Sequence, residues 1–519
     1  NGTVTSTGLI AQAIEILSSK VLNIDADLVG GNVSNKGSIY LTGDNKVLAK
    51  MIEGTGTTYV NGTITANADI KQNIIVSVNK SLTADANHLQ GSVLSNSGDV
   101  YLTAGTLSQQ ITGSGKTTIQ GTVVSNTSIS QTNGVVIVDG AKLSISVKNL
   151  LSNSTNAGTL NLSGNAGLAD YDSFSKQITG TGRTVIEKNV ALDTASTISQ
   201  GIIEISGALK GNASSIITSD TILNNGSLIF TGGTIQSDIT TSAANSTVTI
   251  GDGSVNASVN NDNNKYINSA KLLINSKGSF TTEADYLVNS EIIENLGSLY
   301  LSGNLTQDIT GSGTTFIKEN LSAVGNDNVI NGTLNLNSGN LSLHTTNVDG
   351  NVTMNEFTVG TLAGTGSLTL DVLFENGMKT DVLNISNSIA SGTKLTIDDF
   401  NIEGTIKGNN ISTIISSKAS LANLNYVFNN NSKTYTGYIY NYLGNTYTLD
   451  MNLFDTVENG LNVVKLGIAV QSEFKGSATI SSIKNTAIND LLFSGSPMTL
   501  KTSGGANDVA ISMNGTTYY

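Results

Sequence analysis

The chain has 519 residues, a net charge of −13, one proline, no cysteine and no tryptophan, and only 13% of it is charged. That excludes disulfide, zinc-thiolate and cysteine-nucleophile chemistry. One arginine among 26 bases disfavours nucleic-acid binding, which needs clustered Lys and Arg. The 55 glycines with a single proline exclude collagen-like and polyproline chains, and dense Val, Ile and Leu exclude wholesale disorder.

No apolar run approaches the roughly 18 residues of a membrane helix. The chain starts at Asn1 rather than Met, which reads as a processed form or a fragment. Leu9 to Leu17 carries a helix-like spacing of apolar residues. Its register with the β-branched stretch Ile70 to Val78 reassigns it to strand.

A nine-residue phrase organises most of the chain. It runs Asn35-Lys36-Gly37-Ser38-Ile39-Tyr40-Leu41-Thr42-Gly43, and returns from Asn96, Asn156, Asn224 and Asn295. Its glycines fall at 37, 98, 158, 226 and 297, with spacings of 61, 60, 68 and 71. A second phrase, Ile-x-Gly-x-Gly-x-Thr, accompanies it from Ile52, Ile111, Ile178 and Ile309, and the fourth unit lacks it. Repetition on this scale means a solenoid or an array.

Between the phrases, short stretches of period-two alternation recur every seven to ten residues without a helical pattern. The fold expected is all-β, a right-handed parallel β-helix of about 20–23 residues per turn. Each long unit is then about three turns. The whole is about 23 turns, rising roughly 110 Å at about 4.8 Å per turn. Asn-x-Gly is read as a corner built from residues that enter left-handed conformations cheaply. The two apolar positions point inward and the residue between them outward. That puts Tyr40, Tyr101 and Tyr300 on one outer face at three-turn intervals.

The expected division is residues 1–359 as β-helix, with five imperfect units to about 320, then 360–400 as a distinct β segment. Residues 401–519 are further, Tyr-rich β structure, a continuation of the helix or the start of another module. Within 360–400 the order is Leu362-x-Gly364-x-Gly366-x-Leu368-x-Leu370, Asn376-Gly377, Asp381-x-Leu383-x-Ile385, and Ala390-x-Gly392-x-x-Leu395-x-Ile397. This succession resembles the C-terminal stabilising region of pertactin-like type V autotransporter passengers, over about 40 residues. Asn387 stands where that family usually has Gly. The resemblance implies a right-handed parallel β-helix exported to the surface of a diderm bacterium, anchored through an outer-membrane barrel not present in this chain.

Beyond Phe400, tyrosines concentrate at 426, 435, 438, 440, 442 and 447, around a hairpin turn at Leu443-Gly444-Asn445. Glu458-Asn459-Gly460-Leu461 reads as a further turn into a strand.

Catalysis has few candidates. Asp398-Asp399 are adjacent, and Asp25/Asp27 and Asp170/Asp172 share strand faces. The Gly-His-Gly and Arg-x-Lys motifs of pectin-degrading β-helices are missing. His88 and His344 lie far apart, and Gly-x-Gly lacks the Lys-Ser/Thr of a phosphate loop. Gly251-Asp252-Gly253 and Asn261-Asp262-Asn263-Asn264 are only fragments of calcium loops. No catalytic, cofactor or metal site is expected.

The expected function is a non-catalytic adhesin or stalk passenger that binds a host or neighbouring-cell protein or glycan, with self-association a further option. Its binding candidates are Tyr40, Tyr101, Tyr300, Tyr435, Tyr438, Tyr440 and Tyr442. The alternatives are a self-assembling subunit of a surface layer, sheath or filament, and a glycan-cleaving β-helix such as a tailspike.

Overall fold

The computed structural model describes residues 2–471, except 165–170, 288–291, 326, 346–350 and 407–409, together with 511–513 and 516–518. The protein is all-β, 62% strand and 4% helical, with parallel strands stacked into a β-solenoid of about 17 turns. It comprises two compact units, one up to Gly278 and a second beginning at Ser279.

In the first unit, Thr3, Val21, Ser38 and Thr57 are parallel partners at steps of 18, 17 and 19 residues. These turns are shorter than the 20–23 residues expected, because corners need only two to four residues. Ile14–Ile16 is a strand in register with Val33–Asn35, as the reassignment of the opening stretch requires.

The short turn changes the meaning of the long repeat. Strand Ser38–Thr42 is followed on its own sheet by Ile52–Val60, Ile70–Val76 and Val93–Asn96. The phrase then returns at Asp99–Leu102, on a different sheet. About sixty residues therefore make three turns and a third, and each copy sits one face round from the last. Tyr40 and Tyr101 do not share a face, contrary to the three-turn reading.

The alternation of the phrase holds throughout. Ile39 and Leu41, Val100 and Leu102, Leu160 and Leu162, Leu299 and Leu301 are all fully buried. Stacking such pairs on the turns above and below supplies the core, at about 1.5–3 kcal/mol per buried aliphatic side chain.

In the second unit the steps lengthen. Asn340, Ser367 and Thr396 are parallel partners in successive turns, at steps of 27 and 29 residues. Segment 360–400 continues the solenoid rather than leaving it, through strands Thr365–Phe374, Val382–Ile389 and Thr393–Gly404. One antiparallel excursion interrupts it, the hairpin of Thr365–Phe374 with Met378–Thr380 around Asn376-Gly377. Past residue 404 two further parallel partners follow, Asn410–Ser417 beside Val382–Ile389 and Leu424–Phe428 beside Thr393–Ile397, and the pairing then turns antiparallel. Asn410–Ser417 pairs antiparallel with Leu461–Gln471, which pairs with Asn445–Glu458, which pairs with Thr434–Tyr442. The hairpin turns fall where the sequence puts them, Leu443 and Gly444 at φ 47° and 81°, Asn459 and Gly460 at 50° and 81°.

Candidate functional site

The asparagine that opens each phrase is a buried polar centre. Asn35, Asn96, Asn156 and Asn224 are 0% exposed and Asn295 1%. None has a positive φ, so left-handed backbone is not why Asn is used. Its side chain is. Asn35 Oδ1 accepts Gly37 N–H at 2.9 Å and Asn96 Oδ1 accepts Gly98 N–H at 3.0 Å. The amide nitrogens donate to carbonyls one turn on, at Thr57 and Lys116. Gly37 and Gly98 are required by close approach: a Cβ there would meet the Lys20 or Lys80 carbonyl at 2.2 or 2.1 Å.

The second phrase lies on the first. Asn96, Gly113 and Gln131 form one column over three turns, with Gly113 and Gln131 in register. Asn35–Gly54–Gln72 and Asn156–Gly180–Gln200 repeat it. The glycine leaves room for the asparagine amide to reach the glutamine two turns away, Asn35 to Gln72 at 3.3 Å and Asn156 to Gln200 at 2.6 Å. A Cβ on Gly54 would sit 2.3 Å from the Asn35 carbonyl, at φ +120°. In the fourth unit Asn224 keeps the carbonyl bond one turn on, to Thr247, and in the fifth Asn295 does the same to Thr314. The two phrases thus build one polar spine, which pairs most of its buried amide groups, Asn156 Oδ1 being left without a partner. An open polar cleft of about 420 Å³ lies beside it, lined by Gly113, Ser130, Gln131, Ser152, Asn153 and Lys176 among others.

The tyrosines divide into two groups. Tyr40 stacks on Tyr59 with centroids 4.3 Å apart and an interplanar angle of 7°, and Tyr300 on Phe316 at 4.7 Å and 11°. Each pair occupies neighbouring in-register strands. Their ring faces are turned on each other. Partial burial, then the Tyr59 charge, raises the Tyr40 hydroxyl pKa. Tyr101 stands between Thr83 and Thr118 in register, with no aromatic neighbour on either side.

The second group is turned inward. Tyr440 is 7% exposed, and its hydroxyl donates to the Gly404 carbonyl at 2.9 Å. Tyr438 donates to the Phe400 carbonyl at 3.3 Å. Both carbonyls belong to strand Thr393–Gly404, one of the last parallel strands. Tyr435 packs on Phe428 and Tyr438, and Tyr442 stacks on Tyr440. Burial, then the neighbouring Tyr442 and Glu403, pushes the Tyr440 hydroxyl up to about 12. These rings cover the outgoing edge of the solenoid, where bare carbonyls would otherwise invite another strand. Among the described residues, the outermost apolar group of this hairpin is Leu443, which is 82% exposed.

The acidic pairs are engaged locally. Lys46 reaches Asp25 at 4.0 Å and Asp27 at 2.9 Å. Asp399 accepts the N–H of Phe400 at 2.8 Å. Asp172 pairs with Lys148 at 3.2 Å, and Asp170 lies outside the described residues. Asp252, in the first calcium-like fragment, is bound by Lys210 and Ser254, which hold its carboxyl far below the usual range. In the second, Asn263 donates to Ile235 and Gln236 of an adjacent turn. Each histidine meets an aspartate, His88 with Asp69 at 2.8 Å and His344 with Asp371 at 2.6 Å. Among the described residues no group of three or more His, Asp or Glu could hold a metal ion.

The outward positions thus include hydroxyl and amide groups and stacked aromatic pairs, over an aliphatic core crossed by the polar spine. No protein-family model matches the sequence, and no curated protein matches it significantly.

Proposed function

We propose that this chain is the passenger of an exported bacterial surface protein, a β-helical stalk that adheres to host or neighbouring cells by surface binding and without catalysis. The observation that carries this reading is the division of labour along each phrase. The Asn and the apolar pair that recur in every copy are used up inside the solenoid, and the recurring glycines are fixed by close approach to the neighbouring turn. The outward position between the apolar pair is less fixed, as Tyr40, Tyr101, Asn161, Ile229 and Tyr300. A scaffold that fixes its interior and varies its outer face suits recognition by many weak contacts, which multivalency strengthens.

The place of secretion in this reading rests on the resemblance of segment 360–400 to autotransporter stabilising regions. Support comes from the position of that segment, in the closing turns next to the tyrosine-covered edge. The partner proposed is a cell-surface protein or glycan, met outside a diderm bacterium.

The test is direct. The purified chain, fluorescently labelled, is titrated onto epithelial cells and onto bacterial cells. Saturable binding that unlabelled chain displaces is expected. Binding that never saturates, or cleavage of purified surface polysaccharide by the chain, would remove the adhesin reading.

A further inference from the structure

The closing turns of the second unit contain a buried pair of acids. Asp371 and Asp381 are both 0% exposed. They flank the antiparallel hairpin at Asn376-Gly377 and are joined by two bonds. Asp381 N–H donates to the Asp371 carbonyl at 3.2 Å, and Asp371 N–H donates to Asp381 Oδ2 at 2.6 Å.

The rest of each carboxyl is spent on other segments. Asp381 Oδ1 accepts Asn355 N–H at 2.8 Å. Asp371 Oδ2 accepts Thr345 N–H at 2.9 Å. Asp371 Oδ1 accepts Asn401 Nδ2 at 3.1 Å and faces His344 Nδ1 at 2.6 Å. Two carboxyls thus tie together five places in the chain: 344–345, 355, 371, 381 and 401.

We propose that the buried Asp371–Asp381 pair is a proton-operated fastener on these closing turns, tight while Asp381 retains its proton and loosened as it loses it. The charges around it support this. The strand Thr393–Gly404 contributes Glu403, whose Oε2 accepts Val352 N–H at 3.3 Å, and the exposed Asp398 and Asp399. Lys379, on the hairpin, is turned to Glu375 at 3.7 Å, both side chains being more than half exposed. Among the described residues, the basic side chain that meets the buried acids is the His344 imidazole, against Asp371 Oδ1.

Two ionised carboxylates in a dry site need more compensation than one imidazole gives, so one proton is kept. Burial pushes Asp381 up to about 8, its two amide bonds oppose that, and the Asp371 charge adds to it. Asn355 Oδ1 is buried with no donor, and a protonated carboxyl in the same cluster is a donor in need of an acceptor.

Hydrogen exchange of the whole chain, corrected for intrinsic rates, tests the fastener between pH 6 and pH 9. The Asn355 and Asp371 amides, which bond directly to Asp381, are expected to lose roughly tenfold more protection than those of Val100 and Leu102 in the first unit. In Asp381→Asn the pH dependence is expected to flatten to within about threefold, at a lower overall protection. Equal losses at both places, or a wild-type profile in Asp381→Asn, would overturn the proposal. Should that variant not fold, the ¹³C carboxyl resonance of Asp381 in the wild-type chain decides. A titration near pH 8 is expected, and a carboxyl already ionised at pH 6 would overturn it.

Discussion

The Asn96 side-chain amide donates to Gln131 Oε1 across 2.6 Å, passing over Gly113 in the turn between them. Neither residue could be placed by its local sequence, since they are 35 residues apart. Asn96→Ala leaves the Gly98 N–H, the Lys116 carbonyl and Gln131 Oε1 without their partner in a buried setting. A loss of about 2–3 kcal/mol is expected from urea unfolding.

Gly113→Ala attacks the same column from its centre. The new Cβ would lie 2.2 Å from the Asn96 carbonyl, on a backbone at φ +120°. A cost of at least about 2 kcal/mol is expected. The same substitution at Gly140 meets nothing within 4 Å, although its φ is also positive, at +75°. It should cost about 1 kcal/mol, and the difference between the two melting temperatures isolates the steric part.

The tyrosines over the solenoid edge can be tested separately. Tyr438→Phe and Tyr440→Phe each remove one hydroxyl bond to a carbonyl of strand Thr393–Gly404. Each is expected to cost about 0.5–1.5 kcal/mol while leaving the fold intact. Both should also increase aggregation on mild heating, because each leaves an edge carbonyl without its hydroxyl donor. Ultraviolet titration gives an independent check, since the Tyr440 hydroxyl should remain un-ionised until about pH 12.

Stability should also depend on pH in a set direction. The Asp381 carboxyl has a folded pKa of about 8, above the ordinary aspartate value of 3.8. The folded state therefore binds more protons than the unfolded state between those two values. Its contribution is fully present below about pH 4 and is lost as pH rises to about 8. A melting-temperature series across that range in wild type and Asp381→Asn should show this decline in wild type and a weaker one in the variant.

Much of the architecture is readable from residues alone. The alternation Ile39-x-Leu41 places strands, and Asn-Gly and Leu-Gly pairs place hairpin turns, because both are local effects. The turn length is not readable in this way, since a corner's size depends on contacts with the turn below. The polar spine is hidden for the same reason. Asn35, Gly54 and Gln72 are each visible, and Gln72, Gln131 and Gln200 are a signal at a steady distance from the second phrase. Only the register of three successive turns shows that they meet. Tyr438 and Tyr440 resemble a binding strip in sequence because alternation does not say which face a closing sheet turns inward.

If recurring residues hold the solenoid while outward ones recognise a surface, the two roles can be separated. Cell binding and melting temperature are measured together on Tyr101→Ala with Tyr300→Ala and on Asn96→Ala. The tyrosine variant is expected to melt a few degrees lower, through loss of the Tyr300–Phe316 stack, and below its transition to bind at least about tenfold more weakly. The asparagine variant should melt lower and, below its transition, bind as wild type does. Unchanged binding by the tyrosine variant, or lost binding by a still-folded asparagine variant, would contradict this division of roles.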